Sequence, residues 1–100
     1  NDVAKTLFDL ERYDDLIEFL NNNESISLKK VTLLNFYGLA HFKLGNYNDS
    51  LIFFEKAILI NPNSLNIYKN IISVYDVLDD NENKKKYTLI AERVSKQSDE

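Results

Sequence analysis

Residues 45–63 read GNYNDSLIFFEKAILINPN, and they place two rare residues of this chain at the two ends of one segment. The chain contains only two glycines and one proline. Gly45 opens the stretch, where glycine permits a tight turn, and Pro62 lies near its end, where proline cannot continue a helix. Between them, apolar residues recur at steps of three and four, which is the spacing of one helix face. The stretch therefore predicts a turn followed by a helix over residues 48–60.

The same turn pattern recurs along the chain at a fixed interval. Turn-like segments occupy residues 11–15, 45–49 and 79–83, and their centres at 13, 47 and 81 are separated by 34 residues. A helical pattern precedes and follows each of them. We therefore predict six helices in three hairpins: 2–10 with 14–21, 28–44 with 48–60, and 64–78 with 82–96. Ser27 and Ser64 are predicted N-caps, and residues 22–27 are predicted to form a loop.

The composition restricts the classes of protein to which the chain can belong. One hundred residues make one domain, and with two glycines and one proline the chain is poor in material for tight β-turns. The net charge of −4 gives no general attraction to nucleic acid. No apolar run approaches the roughly 18 residues that a membrane span needs. We expect no nucleic-acid partner and no membrane span.

Motifs that would carry chemistry are missing from the sequence. There is no cysteine, no phosphate-binding glycine loop and no nucleophile elbow. The single histidine, His41, lies on an apolar helix face and is interpreted as a packing residue. We therefore expect no catalytic activity, no cofactor and no metal site. The chain has no methionine and begins at Asn1, so we expect it to be part of a longer protein, and we predict a cytoplasmic location.

Residues 31–64 resemble the tetratricopeptide repeat, a helix–turn–helix unit of 34 residues. Gly38 and Ala57 occupy the two small-residue positions of that family, and Gly45, Tyr47 and Pro62 match its turn and its helix stop. The resemblance implies an all-α fold in which the hairpins stack as a right-handed α-solenoid of about six helices. Residues 1–100 are then a single domain with a degenerate or truncated repeat at 1–30, the closest repeat at 31–64, and a degenerate repeat with a capping helix at 65–98.

The flanking units depart from the family pattern at the positions where two helices cross. Leu16 replaces a small residue in the first unit. In the third unit Ile72 occupies the glycine position, and Lys84 occupies the small-residue position opposite it. Two bulky residues at the closest crossing are expected to splay the third hairpin or to shift its register.

The resemblance implies a protein-interaction scaffold that binds a partner peptide or protein on the concave face formed by the first helices. Carrying the family's lining positions onto this chain predicts a groove of eleven residues: Lys5, Phe8, Asp9, Asn35, Leu39, Phe42, Lys43, Asn66, Lys69, Ser73 and Asp76. Two alternatives stay open. The repeats can form the substrate-recruiting region of a larger enzyme, or they can form a self-associating module that yields a homo-oligomer.

One specialised partner is disfavoured by the residues at the relevant positions. Chaperone-binding members of the family hold a C-terminal carboxylate with two lysines, two asparagines and an arginine. The corresponding positions here hold Asn1, Lys5, Phe36, Asn66 and Asn70, and none matches in residue type at its own place. A carboxylate needs charged donors to offset its loss of hydration. We therefore expect no capture of a chaperone tail.

Overall fold

Seven α-helices make up the fold in the computed structural model, which describes residues 2–98. They are α1 (Asp2–Asp9), α2 (Tyr13–Asn22), α3 (Glu24–Ser27), α4 (Val31–Lys43), α5 (Tyr47–Ile60), α6 (Leu65–Val77) and α7 (Asn81–Ser98). No strand occurs in this described range. Three hairpins result, because α1 packs on α2, α4 on α5 and α6 on α7. The predicted all-α helical repeat is therefore confirmed, with one short helix more than predicted.

The three hairpin turns have the same backbone structure. Each contains one residue in the left-handed region, and these residues lie 34 positions apart: Glu11 (φ 59°), Gly45 (φ 81°) and Asp79 (φ 55°). In each turn the next N–H donates to the carbonyl five residues earlier, at 2.9 Å from Arg12 to Leu7, 2.8 Å from Asn46 to His41 and 3.0 Å from Asp80 to Tyr75. This is the Schellman arrangement that ends many helices. The repeat of 34 residues is thus a repeat of geometry, although only one of the turns contains glycine.

The segment between the first two hairpins differs from the prediction. Residues 24–27 form the single turn of α3 instead of a loop, and α4 begins at Val31, three residues later than expected. Ser27 is completely buried, and its hydroxyl donates a 3.0 Å hydrogen bond to the carbonyl oxygen of Leu20. That bond satisfies the buried hydroxyl and ties α3 to the end of α2, so Ser27 is not an N-cap. Ser64 does occupy the N-cap position of α6, but its side chain makes no capping hydrogen bond.

Two clusters of buried apolar residues hold the hairpins together. The first core cluster joins the first and second hairpins and consists of Ala4, Leu16, Leu20, Leu33, Tyr37 and Ala40. The second core cluster joins the second and third hairpins and consists of Leu34, Leu51, Phe54, Ala57, Ile67, Tyr68, Ile71, Val74, Ala91 and Val94. Helix α4 contributes Leu33 and Tyr37 to the first and Leu34 to the second. It is therefore the helix on which both interfaces depend.

The closest crossing in the second hairpin explains the glycine at position 38. A Cβ atom added to Gly38 would lie 2.3 Å from Cε1 of Phe54, whose ring is completely buried. In the third hairpin the equivalent positions hold Ile72 and Thr88, so the large residue is on the first helix and the smaller one is on the second. The third turn keeps the hydrogen bonds of the others. The turn of the third hairpin therefore keeps the register of the others, and a splayed crossing at Ile72 and Lys84 stays a prediction.

Candidate protein-binding face

The first helices of the three hairpins lie next to one another. Between α6 and α4, the side-chain amide of Asn70 donates a 2.8 Å hydrogen bond to Oδ1 of Asn35. Between α1 and α4, the ring of Phe8 meets the ring of Phe36 edge-on, with centroids 5.8 Å apart. These contacts bring α1, α4 and α6 together as one surface, which we call the first-helix face.

The predicted groove residues divide into an exposed group and a half-buried group. The exposed group consists of Lys5, Asp9, Lys43, Asn66, Lys69, Ser73 and Asp76, and the half-buried group of Phe8, Asn35, Leu39 and Phe42. Leu39 and Phe42 pack against the second core cluster, and Phe8 packs against the first. The apolar members therefore contribute to folding as well as to the surface, whereas the seven exposed members all have their side chains at the surface.

Ion pairs neutralise part of the charge on the first-helix face. Nζ of Lys5 lies 2.7 Å from Oδ2 of Asp9, and this hydrogen bond raises the pKa of the lysine. Asp76 accepts from Nζ of Lys84 at 2.7 Å, which links α6 to α7. Lys84 is half-buried as a residue, and its ammonium group is paired with the exposed carboxylate of Asp76. Among residues 2–98, Lys43 and Lys69 are cations of this face without an ion-pair partner.

His41 is a packing residue, as the sequence predicted. Its ring is half-buried and parallel to the ring of Phe53, with centroids 5.4 Å apart. On the same ring of Phe53, Tyr37 stacks with centroids 4.1 Å apart. Burial lowers the pKa of His41, because the charged imidazolium loses water there. Since the ring is held by stacking, the geometry gives it a structural role in the second hairpin.

The part of the chain that the structure describes holds neither a metal-ligand cluster nor a membrane-spanning helix. No group of three His, Cys, Asp and Glu side chains there is arranged to hold a metal ion. None of the helices within residues 2–98 is both long and apolar enough to cross a membrane.

Some of the positions at which chaperone-binding members of the family hold a C-terminal carboxylate carry residues that contact other side chains of this chain. Phe36 packs against Phe8, and the amide of Asn70 is engaged by Asn35. Asn1 lies outside the described residues. The exclusion of a chaperone tail stays a prediction from residue type.

One apolar surface was not predicted. An open groove of about 280 Å³ beside α1 is lined by Asp2, Val3, Thr6, Leu7, Leu10 and Arg12. We call it the α1 groove. The sequence signal that could have found it is the 34-residue register, since Val3 and Leu10 are apolar at positions where the later repeats also carry apolar residues.

Comparison with known proteins identifies the repeat and the fold. Residues 31–64 match the family model of the tetratricopeptide repeat. No curated protein matches the chain in sequence. A MamA structure from MSR-1 superposes with a TM-score of 0.88 at 18% identity, over 95% of this chain and 55% of that chain. A MamA structure from AMB-1 superposes with a TM-score of 0.83 at 18% identity, over 91% of this chain and 54% of that chain.

The likeness to MamA concerns the fold, because the sequences share less than a fifth of their residues. This chain spans about half the length of those two chains. The family match covers the hairpin formed by α4 and α5, which is also the one with Gly38, Gly45 and Pro62. The resemblance noted in the sequence is therefore confirmed: the chain carries a tetratricopeptide repeat at residues 31–64, within an all-α stack of helical hairpins.

Proposed function

We propose that this chain is a protein-interaction scaffold that holds a segment of a partner protein on the first-helix face. The observation that carries the proposal is the adjacency of α1, α4 and α6, which the Asn35–Asn70 and Phe8–Phe36 contacts maintain. Seven of the eleven predicted groove residues remain exposed on these helices. Repeat folds of this kind bind through such extended surfaces, so the proposal assigns binding and no reaction to the chain.

The chemistry of the first-helix face suits a peptide that lies along it. An extended peptide presents unpaired N–H and C=O groups. Asn66 can donate to and accept from them, and Ser73, whose hydroxyl donates to the carbonyl oxygen of Lys69 at 3.1 Å, can accept from them. Lys43 and Lys69 have no ion-pair partner within residues 2–98, so carboxylates of the partner are the groups that they favour. We therefore propose a partner segment that carries acidic residues.

The proposal is tested by affinity capture with a charge-reversed variant. Lys69→Glu changes an exposed side chain of α6 and is expected to weaken binding of the captured partner by at least about tenfold, since repulsion replaces attraction. Lys85→Glu is the matched control, because Lys85 is an exposed lysine on α7, outside the predicted groove. Phe42 is avoided as a test position because its ring packs against the core.

Captured proteins are identified by mass spectrometry, and affinity is then measured with the purified partner. The proposal is supported by a loss with Lys69→Glu that Lys85→Glu does not share. Equal affinities for the two variants, whether both unchanged or both reduced, would place the binding surface elsewhere.

A further inference from the structure

One side of helix α5 is open to solvent although the helix has neighbours on both sides. Its residues Ile52 and Leu59 are 48% and 84% exposed. Because α5 packs on α4 and on α6 and still leaves these two side chains open, their exposure belongs to the repeat and not to an end of the stack. The residues equivalent to Ile52 in the other two second helices, Glu18 of α2 and Lys86 of α7, are exposed as well.

The three second helices follow one another along the stack, with α5 in the middle. On one side, the ring of Phe53 on α5 packs against the first core cluster, which contains Leu16 and Leu20 of α2. On the other side, α5 is near α7: burial raises the pKa of Tyr87, and the negative charge of Glu55 on α5 raises it further. The exposed sides of α2, α5 and α7 therefore form one surface, which we call the second-helix face.

The second-helix face is acidic at one end and basic at the other. Helix α2 has three exposed acidic side chains and no basic one, and one of the three, Asp15, is paired with Arg12. Helix α7 has four exposed basic side chains and two exposed acidic ones. No ion pair in the described part of the chain involves Glu18 or Lys86. Across the face, the equivalent residues Glu18, Ile52 and Lys86 thus read acidic, apolar and basic, a series that is complementary to itself when reversed.

We propose that a second copy of the chain binds to the second-helix face, with a two-fold axis that runs parallel to α5. Under that symmetry α5 lies on α5 of the second copy, so Ile52 contacts Ile52. Helix α2 lies on α7 of the second copy, so Glu18 faces Lys86 and, by the same symmetry, Lys86 faces Glu18. The dimer then has an apolar centre between two ion pairs. The proposal goes beyond partner binding on the first-helix face and does not depend on it.

Charge selects this orientation over another face-to-face arrangement. A two-fold axis in the same plane but perpendicular to α5 would place α2 on α2 and α7 on α7, so that like charges meet at both ends. One pair opposes the arrangement that we propose: Asp14 is equivalent to Glu82, and the two would face each other near the turns. That repulsion supplies a test of the register, because reversing it should tighten the dimer.

The test is sedimentation velocity with the complete 100-residue chain over a range of concentrations. We expect a mass that rises towards that of a dimer and no further, and a dimer that weakens as salt screens the ion pairs. Glu18→Lys and Lys86→Glu are each expected to weaken dimerisation by at least about tenfold, because two attractive pairs become repulsive. Lys69→Glu is the matched control, since it reverses an exposed lysine on the first-helix face. A failure of this dimer therefore leaves the capture experiment unaffected.

A mixture of the two reversed variants tests the pairing itself. Glu18→Lys mixed with Lys86→Glu is expected to dimerise as tightly as the native chain, because both places of a mixed dimer again hold a cation and an anion. The double variant Glu18→Lys/Lys86→Glu is expected to recover dimerisation for the same reason. A loss caused by misfolding would not be recovered by mixing, and circular dichroism verifies that each variant keeps its helices.

Two further variants test the centre and the register of the contact. Ile52→Ser is expected to weaken dimerisation by about tenfold, because it removes apolar contact area from both copies. Val77→Ser on α6 is its matched control, since both side chains are 48% exposed. Glu82→Lys is expected to tighten dimerisation, because Asp14 of the second copy then faces a cation.

Several results would overturn the proposal. A mass of one copy at every concentration would show that the face is not self-complementary, and a mass that grows beyond two copies would show an open stack. No gain on mixing the two reversed variants would place the contact elsewhere, and so would a loss with Val77→Ser or Lys69→Glu that equals the loss with Ile52→Ser. Weaker dimerisation of Glu82→Lys would contradict the register.

Discussion

The second and third hairpins have turns of the same backbone geometry but carry different residues where their helices cross. The second has Gly38 against the buried ring of Phe54, whereas the third has Ile72 and Thr88 at the equivalent positions. We therefore expect the crossing to depend on the sum of the two side-chain sizes, which a family motif that records only the glycine does not capture.

The aromatic contacts between the two helices of the second and third hairpins also join equivalent positions through different residues. His41 stacks on Phe53 in the second hairpin, and Tyr75 stacks on Tyr87 in the third, with centroids 5.4 and 5.6 Å apart. The residues of each pair lie 34 positions from those of the other. A ring-on-ring contact is therefore kept at one place in the repeat while the chemistry of the rings changes.

The largest expected effect comes from disturbing the crossing. Gly38→Ala places a methyl group against the buried ring of Phe54 and is expected to lower the free energy of unfolding by about 2 kcal/mol, even though alanine favours a helix. Urea denaturation measures it. The equivalent change in the third hairpin, Ile72→Val, is expected to cost about 1 kcal/mol, since it removes one methylene from a half-buried side chain.

A double variant at positions 38 and 54 distinguishes a clash between these two side chains from a general loss of stability. The double variant Gly38→Ala/Phe54→Leu should be less destabilised than the sum of its single variants, because the smaller side chain makes room for the methyl group. Strict additivity would show that the two side chains do not compete for one space.

A smaller effect is expected at the turns, where only the second hairpin has glycine. Glu11 holds a left-handed conformation that is unfavourable for a residue with a Cβ atom. Glu11→Gly is therefore expected to raise the free energy of unfolding by about 0.5 kcal/mol, whereas Gly45→Ala lowers it by about 1 kcal/mol. No atom lies within 4 Å of a Cβ added at Gly45, so the cost there is conformational. Thermal unfolding followed by circular dichroism checks both changes, and a loss of stability in Glu11→Gly contradicts the shared turn geometry.

The smallest expected effect concerns the stacked pair of His41 and Phe53, and it changes the stability only at acidic pH. Burial lowers the pKa of His41, so the unfolded chain takes up a proton at a higher pH than the folded chain does. The contribution of His41 to stability is therefore constant above about pH 6.5 and is lost progressively as the pH falls below that value. His41→Tyr installs the residue of the third hairpin and should flatten the dependence of the melting temperature on pH between neutral pH and pH 5. An unchanged slope in His41→Tyr would assign the pH dependence to other groups.

The repeat architecture could be predicted from the sequence because its signals are local and recur. The 34-residue interval between turns, the apolar spacing of α5, and the ends marked by Gly45 and Pro62 all proved correct in the structure. The packing role of His41 followed from its apolar neighbours. Each of these features depends on residues within a few turns of one another.

The features that were missed depend on contacts between separate segments. Ser27 looked like an N-cap from its neighbours, but its hydroxyl is satisfied by the carbonyl of Leu20 on another helix. The expected register shift is not seen in the third turn, which keeps the hydrogen bonds of the other two although Ile72 stands where the second hairpin has glycine. The eleven groove residues were predicted from the family resemblance. Their role in binding stays a prediction, which the capture experiment tests.

The membership of α4 in both core clusters has a consequence for how the molecule opens. If α1 and α2 detach, the second core cluster stays intact, and if α6 and α7 detach, the first stays intact. Opening of α4 dismantles both clusters at once. The chain is therefore a row of three coupled units whose ends fluctuate independently and whose centre sets global cooperativity. A ligand that orders one end can influence the other only by what it does to α4.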